Sequence, residues 1–296
     1  MSLLERVLAC RRHDLTGLVP FEVEGTPLGW VRRETARELS QAHGAFVLEG
    51  MRLGLSLGLE DAPARTEAVA AVLRARAESG LLPGWRGESY AVVPEWGTPE
   101  VFRVERAAAP LLGIRAFGVH VNGWVRGPRG PLLWVGRRSR SKPTSPGKLD
   151  HLVAGGQPAG LSLRENLAKE AMEEAGVPAE LVAQAVPVAP FRYRLLAPEG
   201  LRDDTLFVFD LELPAGFVPE PHDGEVEQFR LVAADEVRES LRNGDEFKYN
   251  VGPCVLGFLL RQGVVGERDP ERAALLHELG RDVLLDSVPE PPARCA

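Results

Sequence analysis

The chain has 296 residues, 44% of them hydrophobic, and a formal net charge of −7. That length and apolar content allow one large or two ordinary domains with a proper core, and the acidic balance argues against nucleic acid or an anionic membrane as the main partner. Cys10, Cys254 and Cys295 are too scattered and too odd in number for a disulfide framework or a zinc site.

The opening MSLLERVLACRRHD meets charged residues too early for a signal peptide. Leu3, Leu4, Val7 and Leu8 instead have helical spacing and predict a helix near 2–13. A strand around 17–24, a helix around 31–40, short strands between 45 and 58, a helix over 64–79 and strands near 89–94 and 100–105 follow. A composition break at RAAAPLLG, residues 106–113, divides an N-terminal α/β domain, 1–108, from a second domain, 109–296. Strands are expected at 115–125 and 132–137, joined by a hairpin turn at GPRGP. A charged helix comes next, then strands at 186–193, 206–213 and 226–231, and helices at about 234–242, 252–262 and 270–283. The order suits an α/β (α+β mixed) chain whose mixed sheet lies between helices. No window approaches about 18 uninterrupted apolar residues, so a soluble, cytoplasmic protein is expected.

The charged helix carries the chemistry. In GGQPAGLSLRENLAKEAMEEAGV, residues 155–177, Glu170, Glu173 and Glu174 fall within one helical arc, with Ala168, Ala171, Met172 and Ala175 on the other. Like charges at these spacings oppose the helix, and a hard divalent cation with oxygen ligands compensates them. Ser162 and Glu165 form a capping box signature, and Gly176 followed by Pro178 stops the helix. A solvated charged face is the plain alternative. Competing phosphate motifs are absent: SPGKLD at 145–150 lacks the upstream glycine and following Ser/Thr of a P-loop.

This segment resembles the Nudix box of pyrophosphohydrolases, G-x5-E-x7-R-E-U-x-E-E-x-G-U with U aliphatic. Gly155 stands for the first glycine, Lys169-Glu170 for Arg-Glu, Glu173-Glu174 for the glutamate pair and Gly176-Val177 for the close. Leu161 replaces the first glutamate and Lys169 the arginine, and Glu165, four residues before Lys169, is expected to take over the lost pairing. The resemblance implies an α/β/α sandwich with a mixed sheet, and a hydrolase acting on a diphosphate bond. GWRGESYAV, RSRSKPTSPGKLDHLVAGG, DGEVEQFRL and FKYNVGPCVLGFLLRQG resemble a Nudix subgroup with an extra N-terminal domain, related to the Nudix part of fungal thiamine pyrophosphokinase fusions. That resemblance implies hydrolysis of thiamine diphosphate, or of its oxy and oxo forms, to the monophosphate.

Diphosphate hydrolysis needs charge screening before water can approach phosphorus, which Mg²⁺ or Mn²⁺ supplies. Glu170 and Glu174 are the expected main ligands, with Glu173 and the Gly155 carbonyl beside them. Glu225 is the favoured further carboxylate, although alternation places Glu227 on the same face. Lys142, Thr144 and Lys148, in a basic run with Arg137, Arg138 and Arg140, are expected to clamp phosphate. Lys248 and Asn250 are expected either to bind substrate or to cap the following helix. Trp85 and Tyr90 lead the aromatic candidates for stacking on a heteroaromatic ring, ahead of Trp96, Trp124 and Phe191. His120, His151 and His222 lack metal-ligand spacing and read as structural. Two alternatives stand: cleavage of a nucleotide, dinucleotide or coenzyme A diphosphate, and a non-catalytic Nudix-like ligand sensor. The partner in the first two readings is a small molecule; the sequence leaves a homodimer open.

Overall fold

The computed structural model describes residues 1–281 apart from 43 and 143; Cys295 and the end of the helix expected at 270–283 lie outside the described residues. The chain folds as a mixed α/β protein. Its N-terminal unit holds a four-stranded sheet in the order Thr26–Arg32, Leu18–Val23, Arg52–Leu55, Phe46–Glu49, and a separate ribbon of Ser89–Val92 with Phe102–Glu105. The helix Ala62–Glu78, capped by Asp61 on the Ala64 N–H, packs Val69, Val72 and Leu73 into a core with Phe21, Phe46 and Phe102. The strand Thr26–Arg32 is absent from the sequence reading, because TPLGWVR lacks clean alternation. Its pairing with Leu18–Val23 tolerates an irregularity at Phe21/Glu22, and the helix Arg33–Gln41 begins directly at its end.

The larger sheet is built on two long strands, Arg115–Gly127 and Gly200–Glu212, which run parallel from Asp203 beside Arg115 to Glu212 beside Trp124. Antiparallel neighbours extend it, including Gly130–Arg138, reached by the expected hairpin with Gly127 opposite Gly130. Alternation divides the two faces. Leu206 and Val208 face a core shared with Val237, Leu241, Val255, Phe258 and Leu259 of the C-terminal helices. Phe207, Phe209 and Leu211 face the opposite core, with Leu163, Leu167, Ala171 and Ala175 of the charged helix. The result is the expected mixed sheet between helices. The opening helix Leu3–Ala9, shorter than the predicted 2–13, joins the C-terminal helices: Leu3, Val7 and Cys10 share their core.

No helix among the described residues is long and apolar enough to cross a membrane.

Candidate active site

The charged helix spans Leu163–Ala175. Ser162 and Glu165 close a capping box at its start, and Gly176, at φ 61°, closes its end in the left-handed conformation. The three glutamates do not share one exposed arc. Glu173 is exposed, Glu170 lies at the edge and Glu174 is buried among Leu167, Ala171 and Ala175, whereas Met172, expected on the apolar side, is exposed. The apolar stripe is offset because Glu174 is accommodated inside it, accepting a hydrogen bond from the Ala154 N–H at 2.7 Å. The lysine at the variant position reaches forward along the helix: Lys169 pairs with Glu170 at 3.0 Å and with Glu173 at 2.7 Å. The carboxylate of Glu165, expected to take over the pairing with Lys169, accepts the Ser162 N–H as a helix cap, while Lys169 bridges Glu170 and Glu173.

The glycine strand Val153–Gly156 pairs with Arg115–Gly127 and lies against this helix. A Cβ at Gly155 would stand 2.3 Å from the Glu170 Cδ, and one at Gly156 would meet the Tyr90 hydroxyl. These close approaches explain why glycine occupies both positions.

A second carboxylate group comes from the loop before the strand Val226–Ala233. Ligand-capable atoms of Glu174, Asp223 and Glu225 all lie within 4.8 Å of one another. Asp223 accepts the Glu225 N–H at 2.8 Å, as the aspartate of an Asp-Gly turn does, and also adds an oxygen to the cluster. Glu225 and Glu227 separate because the register shifts between Val226 and Gln228: Glu225 joins the cluster, while Glu227 accepts the Arg140 N–H. The donor set is all oxygen, which fits a hard cation such as Mg²⁺. A cavity of about 10 Å³, space for one water, is lined by Glu174, Glu225, Arg138, Asp150, His151, Ala154 and Val226. A wider groove of about 650 Å³ runs along Ala62–Glu78 on the N-terminal unit, where Arg103 and Glu100 pair with each other, and it shares none of these residues.

The basic run divides. Lys142 forms an ion pair with Glu225, and Arg86, at 3.3 Å, contacts the same carboxylate. Lys148 instead pairs with Asp245 at 2.8 Å, and Thr144 offers its carbonyl to Arg138. Lys248 is half-buried, its ammonium 3.5 Å from the buried Asp150. Asn250 makes no side-chain cap, because its amide donates to the Tyr193 hydroxyl. Among the aromatics only Trp85 is well exposed; Tyr90 is buried behind the glycine strand, and Trp124 and Phe191 are core. Tyr90 is therefore closed to stacking, since strand pairing turns its ring inward.

The histidines set aside by spacing converge. His120 and His151 meet Nδ1 to Nδ1 at 2.8 Å beside Asp150, brought together because the segment carrying His151 leads into the strand Val153–Gly156, which pairs with the strand of His120. Burial tends to raise the Asp150 carboxyl, but Lys248 foremost, with Arg138, holds it well below the usual range. Burial pushes His151 down to about 4, so it is neutral near pH 7.

Burial, with the charge of Glu170 adding, pushes Glu174 up to about 8. The folded, metal-free chain thus keeps a proton there that the unfolded chain has lost. Its contribution to stability is fully present below the usual carboxylate range and is lost as pH rises through about 8. His151 acts in the opposite direction: its contribution is present above about 6.5 and lost as pH falls through about 4. In chelator, urea unfolding is expected to show stability declining from about pH 6 to pH 8, and Glu174→Gln is expected to flatten that decline; an unchanged slope would assign it to another group.

Residues 116–253 match the NUDIX domain, and residues 2–116 match a domain described only as Domain of unknown function (DUF4743). Nudix hydrolase 24, chloroplastic, of Arabidopsis thaliana is 38% identical over 271 residues, covering 90% of this chain and 74% of that protein. Nudix hydrolase 20, chloroplastic, of the same plant is 38% identical over 273 residues, covering 88% and 73%. Both are described as chloroplastic, so they lend no support to the cytoplasmic expectation. A solved Deinococcus radiodurans structure, DR0079, aligns over 57% of this chain and 98% of its own at 23% identity and a TM-score of 0.44. With the domain match and relatives of this identity along most of its length, the chain belongs to the Nudix hydrolases, enzymes that act on pyrophosphate bonds of small molecules and generally use divalent metal ions.

Proposed function

We propose that this Nudix hydrolase is a Mg²⁺- or Mn²⁺-dependent enzyme that cleaves thiamine diphosphate, and preferentially its oxy or oxo forms, to the monophosphate. The observation that carries the reading is the meeting of Glu174, Asp223 and Glu225 with the cations Lys142 and Arg86, with the exposed Trp85 immediately before Arg86 in the chain. Carboxylates for a metal, cations for phosphate and one open aromatic face are what a diphosphate on a heteroaromatic ring requires. The subgroup resemblance across both parts of the chain supports the choice of ring, and the N-terminal domain, 1–108, is proposed to form one wall of the pocket of the Nudix domain, 109–296.

Glu174 and Glu225, with Asp223 and Glu170, would hold the metal; when bound, it neutralises phosphate oxygens and acidifies an attacking water. The chain's own residues do the rest. The Ala154 N–H fixes the Glu174 carboxylate, and Lys142 and then Arg86 keep the Glu225 carboxyl below its usual value against the upward pull of burial. Catalysis is positioning and electrostatics, without a covalent intermediate.

With Mg²⁺ present, oxythiamine diphosphate is expected to release phosphate with a kcat/KM roughly tenfold or more above that for dinucleotide, nucleotide or coenzyme A substrates. Release of nucleoside monophosphate from that panel, with oxythiamine diphosphate untouched, would replace the thiamine reading by the nucleotide one.

A further inference from the structure

We propose that Arg86 is a substrate-binding residue: the N-terminal unit delivers its guanidinium to the diphosphate, and Glu225 holds it in place until substrate arrives. The inference rests on the placement of the active site at Glu174 and Glu225, and not on thiamine as the ring.

The loop that carries Arg86 is fixed at its base. The buried carboxylate of Glu105 accepts the N–H groups of both Arg86, at 2.9 Å, and Gly87, at 3.0 Å. Gly87 has φ 74°, a left-handed conformation that favours glycine. Glu88 receives the guanidinium of Arg106 within the same unit at 2.7 Å, and the Ser89 carbonyl ties the loop to the Nudix part by accepting the Ala159 N–H at 2.7 Å. The Tyr90 hydroxyl then rests against Gly156. From this base the Arg86 side chain runs outward, 37% exposed, to Glu225 at 3.3 Å.

Stability does not account for the arrangement, since an ion pair this exposed contributes about 0–1 kcal/mol. Lys142 already neutralises Glu225, so Arg86 adds a second cation to one carboxylate. The two cations on Glu225 thus offset the charges of both Glu225 and Asp223 in the carboxylate cluster, and neither has a partner of its own in the interior among the described residues. Arginine's planar fork matches two oxygens of one phosphate group. With Glu174, Asp223 and Glu225 as the residues that would hold a metal ion, Arg86 and Lys142 would be left to bind the phosphates. Ground-state binding of the diphosphate is thus assigned partly to a domain outside the Nudix unit.

The test uses the full chain with Mg²⁺ and methylenediphosphonate, a non-hydrolysable diphosphate that lacks any ring, titrated by calorimetry. Arg86→Ala is expected to weaken its binding roughly tenfold, to raise KM for the hydrolysed substrate in the same proportion and to leave kcat within about threefold. Arg86→Lys is expected to recover part of the affinity, and the urea midpoint of either variant to match wild type. Arg103→Ala, which removes an arginine paired with Glu100 on the N-terminal groove, is expected to bind like wild type. Affinity and KM within twofold of wild type in Arg86→Ala, or no saturable binding to wild type, would overturn the proposal. Failure of the active-site placement reads out separately, as hydrolysis that survives Glu174→Gln.

Discussion

Glu174→Gln is expected to remove metal-dependent hydrolysis, with kcat/KM falling by roughly a thousandfold or more, while the protein stays folded. Glutamine keeps the shape and an oxygen for the Ala154 N–H, which Glu174 accepts at 2.7 Å, but removes the negative charge at the inner corner of the cluster with Asp223 and Glu225. A hard cation bound by carboxylates supplies several kcal/mol of charge stabilisation to the transition state, and about 1.4 kcal/mol corresponds to each tenfold in rate. The metal-free variant should be at least as stable as wild type near pH 8, where burial of an ionised Glu174 is unfavourable. Mn²⁺ affinity measured by electron paramagnetic resonance separates the two effects: it should fall sharply while the urea midpoint holds. Hydrolysis near the wild-type rate would show that another carboxylate anchors the metal.

Gly155→Ala is expected to cost roughly a hundredfold in kcat/KM and about 1–3 kcal/mol in stability, the usual range for overpacking a fitted site. The added methyl would stand 2.3 Å from the Glu170 Cδ, so either the glycine strand or the Glu170 side chain must move. The strand is held by its pairing with Arg115–Gly127; the side chain yields first and carries a proposed ligand out of place. Kinetics as a function of Mg²⁺ should then show a higher metal requirement. An alanine variant with unchanged metal dependence would mean that Glu170 does not take part in binding the ion.

The charged helix was legible because its signals are local. Capping box, glycine stop and glutamate spacing all lie within residues 155–177, and they reappear in the helix Leu163–Ala175 with both caps formed. Local signals also placed the hairpin at Gly127 and Gly130. What lay beyond them depended on pairing. Which of Glu225 and Glu227 faces the cluster follows from a register shift that alternation cannot anticipate. Asp223 carries no signal of its own beyond an Asp-Gly turn, and joins the cluster only through the fold. The partial burial of Lys248, the burial of Tyr90 and the side-chain bond of Asn250 to Tyr193 follow from neighbours distant in sequence.

The sequence by itself determined the enzyme family, the glutamate-rich helix and the alternation of strands and helices, since each is written in residues a few positions apart. Only the tertiary structure decided how the glutamates divide between solvent and interior, brought His120 to His151 and Asp150, and set Arg86 on Glu225 across 139 positions. The physical reason is range: caps and periodicity act within a turn or two of helix, whereas burial and charge pairing depend on which strands meet, and that is fixed by the packing of both faces of the sheet together.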